Sequence, residues 1–327
     1  MIGLKMDVPT LSRGAADRSE DVRDPDRVRA AWPAARVLVL DDAGRTRWDG
    51  AGLHLVPARS VADEPPVDGV LLGEIDGVDH WAVRGPVPVE DGAARVGLRE
   101  IGALLSDTDA GLFTTATALL TWHGAAPYCP RCGLRSTPRL IGWSRVCPND
   151  HEDFPRTDPA VIVLVHDGAG SMVLARQPIW PPGRVSVLAG FVEAGESLEA
   201  AVIREIHEEV GLRVRDVEYL GSQPWPFPRS LMVGFAARAD RDDELRPRVG
   251  EIESARWVDR ATVRELIASY EDNWLSAGPS QTPALSPQER DNAAPVDAGT
   301  AFAAILPGPV SIARRMIDAW AAVETGG

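Results

Sequence analysis

The stretch GFVEAGESLEAAVIREIHEEVGL, Gly190–Leu212, carries six glutamates, and three of them, Glu205, Glu208 and Glu209, fall within five residues. Ser197 followed by an apolar repeat predicts a helix with Ser197 as its N-cap. Glu196 and Glu199 then lie near the positive end of the helix dipole, where carboxylates are stabilising. Leu198, Val202, Ile206 and Val210 recur every four residues and predict the buried stripe. Glu205, Glu208 and Glu209 are related by three and four residues and share another face. Carboxylates so placed repel one another, more strongly where the face is recessed and screening is poorer. A divalent cation reverses the sign, because Mg²⁺ takes carboxylates, water and phosphate oxygens together. The cluster therefore predicts a seat for metal-bound phosphate. Gly190 is expected to let the preceding loop turn tightly, and Gly211 to end the helix. A run of acids is more often a solvated helix face, so the rest of the chain has to decide.

The chain has 327 residues, enough for two or three domains, and 44% are hydrophobic, enough for a packed core. Acidic residues number 48 against 34 basic, a net charge of −14, which opposes a non-specific grip on nucleic acid. No apolar run approaches the length of a membrane span, and the opening MIGLKMDVPTLSRGAADRSEDVRDPD lacks the apolar core of a secretory signal. The expectation is a cytoplasmic protein without membrane contact. The first 25 or so residues read as a mobile extension.

Three parts are expected. Residues 1–125 form a mixed α/β domain: ARVLVLD is a strand, GVLLGEIDGVDHWAVRG two more, and DTDAGLFTTATALLTWH a helix capped by Asp107 or Thr108. Trp122 and His123 close that helix as structural residues. Residues 126–156 hold all three cysteines, Cys129, Cys132 and Cys147. An odd, clustered set without an export signal argues for a metal site over disulfides. Residues 157–327 alternate strands and helices, with AVIVLVHD and SMVLARQ as a hairpin turning at Gly168 to Gly170. Within that part, residues 272–303 lack any period and read as a mobile surface insertion.

The cysteine segment resembles a zinc ribbon, in which two knuckles offer four ligands to a tetrahedral Zn²⁺. A second C-x-x-C would end at position 150, where the chain has Asp150, with His151 beside it. Imidazole is the better zinc ligand, so His151 is favoured as the fourth and Asp150 is the alternative.

Gly190–Leu212 matches the Nudix box at every fixed position: Gly190, Glu196, Arg204, Glu205, Ile206, Glu208, Glu209, Gly211 and Leu212. A second stretch, SQPWPFPRSLM at Ser222–Met232, resembles the signature of the NADH pyrophosphatases within that superfamily, which also remove NAD caps from RNA. FPRTDPAVI and the carboxy-terminal ARR add to the likeness, which covers roughly Pro127 to Ala322. The resemblance implies an α/β protein with the Nudix fold, a mixed sheet between helices, preceded by a zinc-ribbon-like segment and an amino-terminal α/β domain.

It also implies roles. Glu205, Glu208, Glu209, the carbonyl of Ala189 and Glu251 would hold Mg²⁺ or Mn²⁺, and Arg204 would pair with a neighbouring glutamate and aim it. Phe191 and Phe154 would hold the adenine, where the family commonly has tyrosine at the second position. Gln223, Pro224, Trp225, Pro226, Phe227, Pro228, Arg229 and Ser230 would line the substrate site, and Ala313 would make a backbone contact. Zn²⁺ would be structural and the assembly a homodimer. A water attacking one phosphorus of NAD(H) would yield AMP and nicotinamide mononucleotide. Glu209 is taken as the base, with the other box glutamates as alternatives. Two other outcomes are an ADP-ribose or dinucleoside polyphosphate pyrophosphatase, and a Nudix-fold regulator that binds nucleotides without hydrolysis. The choice between free NADH and NAD-capped RNA is left open by the sequence.

Overall fold

The computed structural model describes residues 3–89, 92–277 and 304–323. The chain divides into two compact units, one of residues 1–9, 158–223 and 231–327, the other of residues 10–157 and 224–230.

The second unit begins with a short helix α1 (Pro25–Ala31), whose N-cap Asp24 accepts from the backbone of Asp26 and Arg27. Strands β1 (Arg36–Leu40), β2 (Arg45–Trp48), β3 (Leu55–Pro57), β4 (Val70–Ile75), β5 (Val78–Arg84) and β6 (Ala94–Gly97) follow. They make a four-stranded sheet in the order β3-β1-β5-β4 and a separate β2-β6 pair. Trp32 and Trp81 meet edge to face at 5.3 Å in its core, with Val37, Leu71 and Val83 packed around them. After a single turn, α2 (Leu98–Ile101), comes the long helix α3 (Asp107–Ala125). Its cap is Ser106, whose side chain accepts from Asp109, one residue before the expected start. Trp122 is buried, and His123 is held between the Gly142 carbonyl at 2.8 Å and an Arg145 guanidinium N–H at 2.9 Å, a structural role. The cysteine segment builds a small antiparallel sheet from β7 (Thr137–Arg139), β8 (Ser144–Val146) and β9 (Glu152–Asp153). It belongs to the same compact unit as the amino-terminal strands, so residue 125 is not a boundary between units.

The first unit contains β10 (Asp158–His166), β11 (Ser171–Arg176), β12 (Leu188–Phe191), helix α4 (Leu198–Val210), β13 (Arg215–Trp225), β14 (Ser230–Arg238), β15 (Ser254–Asp259), α5 (Arg260–Ala277) and α6 (Ile312–Ala322). The strands order as β13-β14-β10-β11-β15, with β12 pairing β10. β10 alternates between two cores, as a strand covered on both faces must. Val161, Val163 and Val165 pack with Ala201, Val202, Ile206 and Val210 of α4. Ile162 and Leu164 face the other way, toward Val263 and Leu266 of α5 and Ile312, Met316 and Trp320 of α6. This is the mixed sheet between helices that the box implied.

Two expectations change. The opening residues are packed: Leu4 is buried in the core with Ile162 and Trp320, and Leu11 and Val22 are buried as well. The segment 272–303 lies mostly outside the described residues, but 272–277 continues α5 to Ala277. β13, which carries Pro224 near its end, is a strand at the sheet's edge.

Candidate active site and metal centre

Ser197 caps α4 by accepting from Ala200 at 3.2 Å, and Gly211 ends it in the left-handed region at φ 76°. Leu198 is partly buried and Val202, Ile206 and Val210 fully so, fixing which side the carboxylates occupy. Gly190 plays a different part from the expected turn. It lies in β12, and a Cβ there would come within 1.9 Å of the Glu205 carboxyl carbon. Glycine is required because the carboxylate packs onto bare backbone.

Arg204 organises the cluster. Its Nε and Nη2 each donate to a Glu196 oxygen at 2.8 Å, and Nη1 donates to Glu205 at 2.9 Å and Glu208 at 3.3 Å. Nη2 also donates to the Phe191 carbonyl at 3.0 Å. A bidentate fork with backbone support fixes direction as well as charge. These bonds raise the Arg204 pKa and hold Glu196 down to about 2. Glu196 thus anchors the arginine, a role the sequence reading missed in favour of helix-dipole stabilisation.

Glu209 is the buried member, 6% exposed, and its Oε2 has no hydrogen-bond partner among the described residues. Burial, with Glu205 and Glu251 adding like charge, pushes its pKa up to about 8, against a hydrogen bond to the Ala189 backbone. Glu251 and Ala189 are thus among the neighbours that act on Glu209. A buried carboxylate with one unpartnered oxygen, ringed by others, suits a bound divalent cation, which would favour the ionised form. A second arginine, Arg248, approaches Glu208 at 3.7 Å and Glu251 at 3.5 Å.

The cysteines form a separate centre. One ligand atom each from Cys129, Cys132, Cys147 and His151 lies within 4.8 Å of the others. Cys129 Sγ is 3.6 Å from His151 Nδ1, and Cys132 Sγ is 3.7 Å from Cys147 Sγ. Burial works against the Cys129 thiolate, yet the backbone N–H groups of Arg131 and Cys132 bring its pKa down to about 6. Asp150 is outside this cluster: it takes a left-handed turn position at φ 57°, its N–H donating to the Cys147 carbonyl at 2.9 Å. Three thiols and an imidazole at this separation fit a tetrahedral Zn²⁺.

Residues 156–277 match the NUDIX domain model. The NAD-capped RNA hydrolase NudC of Mycobacterium bovis is 46% identical over 97% of this chain and 96% of its own length. The chain belongs to the Nudix family of NADH pyrophosphatases and NAD-cap hydrolases. The Deinococcus radiodurans NAD-capped RNA hydrolase NudC is 38% identical over 80% of this chain and 92% of its own. The NAD-capped RNA hydrolase NUDT12 of Macaca fascicularis is 36% identical over 54% of this chain and 40% of its own.

The residues that the Nudix resemblance assigned to substrate fall into two groups. Phe154 and Phe191 are 57% and 59% exposed, so neither ring is part of a core. In the proline-aromatic stretch, Trp225 and Phe227 meet edge to face at 4.9 Å, and the Arg99 guanidinium lies 4.2 Å from the Phe227 ring centre. Pro228 and Arg229 are exposed, Pro224 and Ser230 half-buried, and Pro226 buried. Gln223 is fully buried and donates to the Val310 carbonyl at 3.1 Å, tying the strand to the approach of α6. Ala313 is also buried, and its N–H donates to the Ser311 hydroxyl that caps α6. These two side chains face protein.

Proposed function

We infer that this Nudix protein hydrolyses the diphosphate of NAD(H) to AMP and nicotinamide mononucleotide, and that the same cleavage removes NAD caps from RNA. The observation that carries this is Glu209, buried with an orphaned oxygen beside Glu205 and Glu251, in a cluster that Arg204 aims. The chain keeps every box carboxylate, which a merely binding regulator would not need. Relatives that match over nearly the whole chain are named NAD-capped RNA hydrolases.

Glu205, Glu208, Glu209, Glu251 and the Ala189 carbonyl are the proposed holders of Mg²⁺ or Mn²⁺. When bound, the cation neutralises the diphosphate and lowers the pKa of an attacking water. Arg204, always protonated, keeps Glu205 and Glu208 pointed inward. The water oxygen bonds to one phosphorus while the bridging P–O bond breaks, and the bridging oxygen leaves with the other nucleotide. The water's proton passes to Glu209 Oε2, the buried oxygen that no donor among the described residues occupies. Phe154 and Phe191 are proposed to hold adenine, their exposed faces being available for stacking. Residues 223–230 are proposed to shape substrate choice. Zn²⁺ in the ribbon is proposed as structural, since thiolate and carboxylate sites select different ions. A homodimer in the cytoplasm is proposed from the family likeness. Among the described residues, no helix is long and apolar enough to cross a membrane.

The test compares kcat/KM for NAD-capped RNA, NADH and ADP-ribose with Mg²⁺ and with Mn²⁺. Both nicotinamide substrates are expected to exceed ADP-ribose. A preference for ADP-ribose would move the protein to another Nudix activity.

A further inference from the structure

We propose that Arg248 is a resident counter-cation of the carboxylate cluster, displaced when a divalent cation binds, so that this one side chain sets the cluster's metal affinity. The proposal rests on the reading that Glu208 and Glu251 hold the catalytic metal.

The backbone builds the placement. Arg248 N–H donates to the Glu209 carbonyl at 2.9 Å, and Arg246 N–H to the Val210 carbonyl at 2.8 Å. These bonds pin residues 246–248 to the last turn of α4, where carbonyls lack helical partners. Glu251 N–H and Ile252 N–H then donate back to the Arg248 carbonyl at 3.1 and 2.9 Å. That turn brings Glu251 round toward Glu208. The Arg248 guanidinium lies between the two carboxylates, Nη1 3.7 Å from Glu208 Oε2 and Nε 3.5 Å from Glu251 Oε2.

The two arginines of the site are built differently. Arg204 is forked onto Glu196 and bonded to a carbonyl, with its side chain 23% exposed. Among the described residues, the Arg248 side chain makes longer approaches, at 3.7 and 3.5 Å, and is 51% exposed. Its ion pairs are weak and its exit to solvent is open. A guanidinium and a divalent cation claiming the same carboxylate oxygens repel each other across a few ångströms. The exposed, loosely held arginine yields. Arg248 lies outside the box, so the spacing of the box says nothing about it.

The experiment titrates Mn²⁺ into the full-length protein by calorimetry, without substrate, at low and high salt. Arg248→Gln is expected to bind Mn²⁺ roughly three- to tenfold more tightly, the scale of one or two exposed ion pairs. Arg248→Lys keeps the charge and is expected to stay near the parent. The difference should shrink at high salt, where screening removes the competition. A folded Arg248→Gln that binds Mn²⁺ with the parent's affinity, or more weakly, overturns the proposal. Arg248→Lys matching Arg248→Gln in tightness overturns it too, because charge would not be the cause. Glu251→Gln and Glu208→Gln separate the two levels: if neither weakens Mn²⁺ binding, the metal assignment itself fails, and not merely the role of Arg248.

Discussion

Gly190 and Glu205 sit in contact so close that no side chain fits between them. Gly190→Ala therefore has to expel the Glu205 carboxylate from its place. We expect a folded Gly190→Ala to lose about 10²-fold or more in kcat, as for removal of an acid–base group, and to bind Mn²⁺ more weakly. A kcat near the parent's would show that Glu205 is not needed where it stands. The position was legible in the sequence, but its reason was not: spacing marks a glycine without saying whether a turn or a close approach demands it. Phe154 and Phe191 present the opposite case. Both rings are largely exposed, so replacing either with alanine should cost little stability. Stacking on a base is worth about 1–3 kcal/mol. AMP affinity should fall roughly 5- to 150-fold in each variant, and unchanged AMP binding would remove the adenine role. His166 gives a pH effect. It is buried, its Nδ1 accepts from Gly168 N–H at 3.0 Å, and burial holds its pKa down to about 4 from 6.5. The folded state thus binds fewer protons than the unfolded between those values. The associated stability is full above pH 6.5 and is lost as pH falls through about 4, by roughly 3 kcal/mol. Denaturation midpoints measured across that window should fall less steeply in His166→Asn, whose amide oxygen can still accept from Gly168. Parallel curves for the two proteins would assign the acid sensitivity elsewhere.

At the scale of elements, α4 was the most legible, because cap, stripe and left-handed glycine all agree with its structure. The α3 start was misjudged by one residue, since Ser106 takes the cap ahead of Asp107 and Thr108, the two candidates that follow it. β13 carried little usable signal: an edge strand open to water needs little apolar alternation, and Pro224 near its end weakens a strand reading. The clustering of the three cysteines was legible in their spacing, whereas the choice between Asp150 and His151 needed coordinates, since of these two only His151 joins the three sulfurs. Protein purified without chelator should hold close to one zinc per chain by elemental analysis. Cys132→Ser should release it and lower the melting temperature, because zinc binding contributes directly to folding. Zinc-free protein with an unchanged melting temperature would make this a metal-independent ribbon.

At the scale of the whole molecule, composition misled where packing decides. A polar amino terminus looks mobile, yet Leu4 joins the core beneath α6, and no local pattern in its own segment announces that partner. The Nudix unit was visible because one stretch constrains cap, stripe, carboxylate cluster and glycine positions together, while the strand order of the amino-terminal sheet rests on long-range pairings without motifs. The proposed chemistry rests on the buried carboxylate of Glu209 in that unit. The decisive measurement is therefore product analysis of NADH incubated with Mn²⁺, for the parent and for Glu209→Gln. The parent is expected to give AMP and reduced nicotinamide mononucleotide in equal amounts, and folded Glu209→Gln to be slower by about 10²-fold or more. Release of nicotinamide with ADP-ribose, or an undiminished rate in Glu209→Gln, would contradict the account.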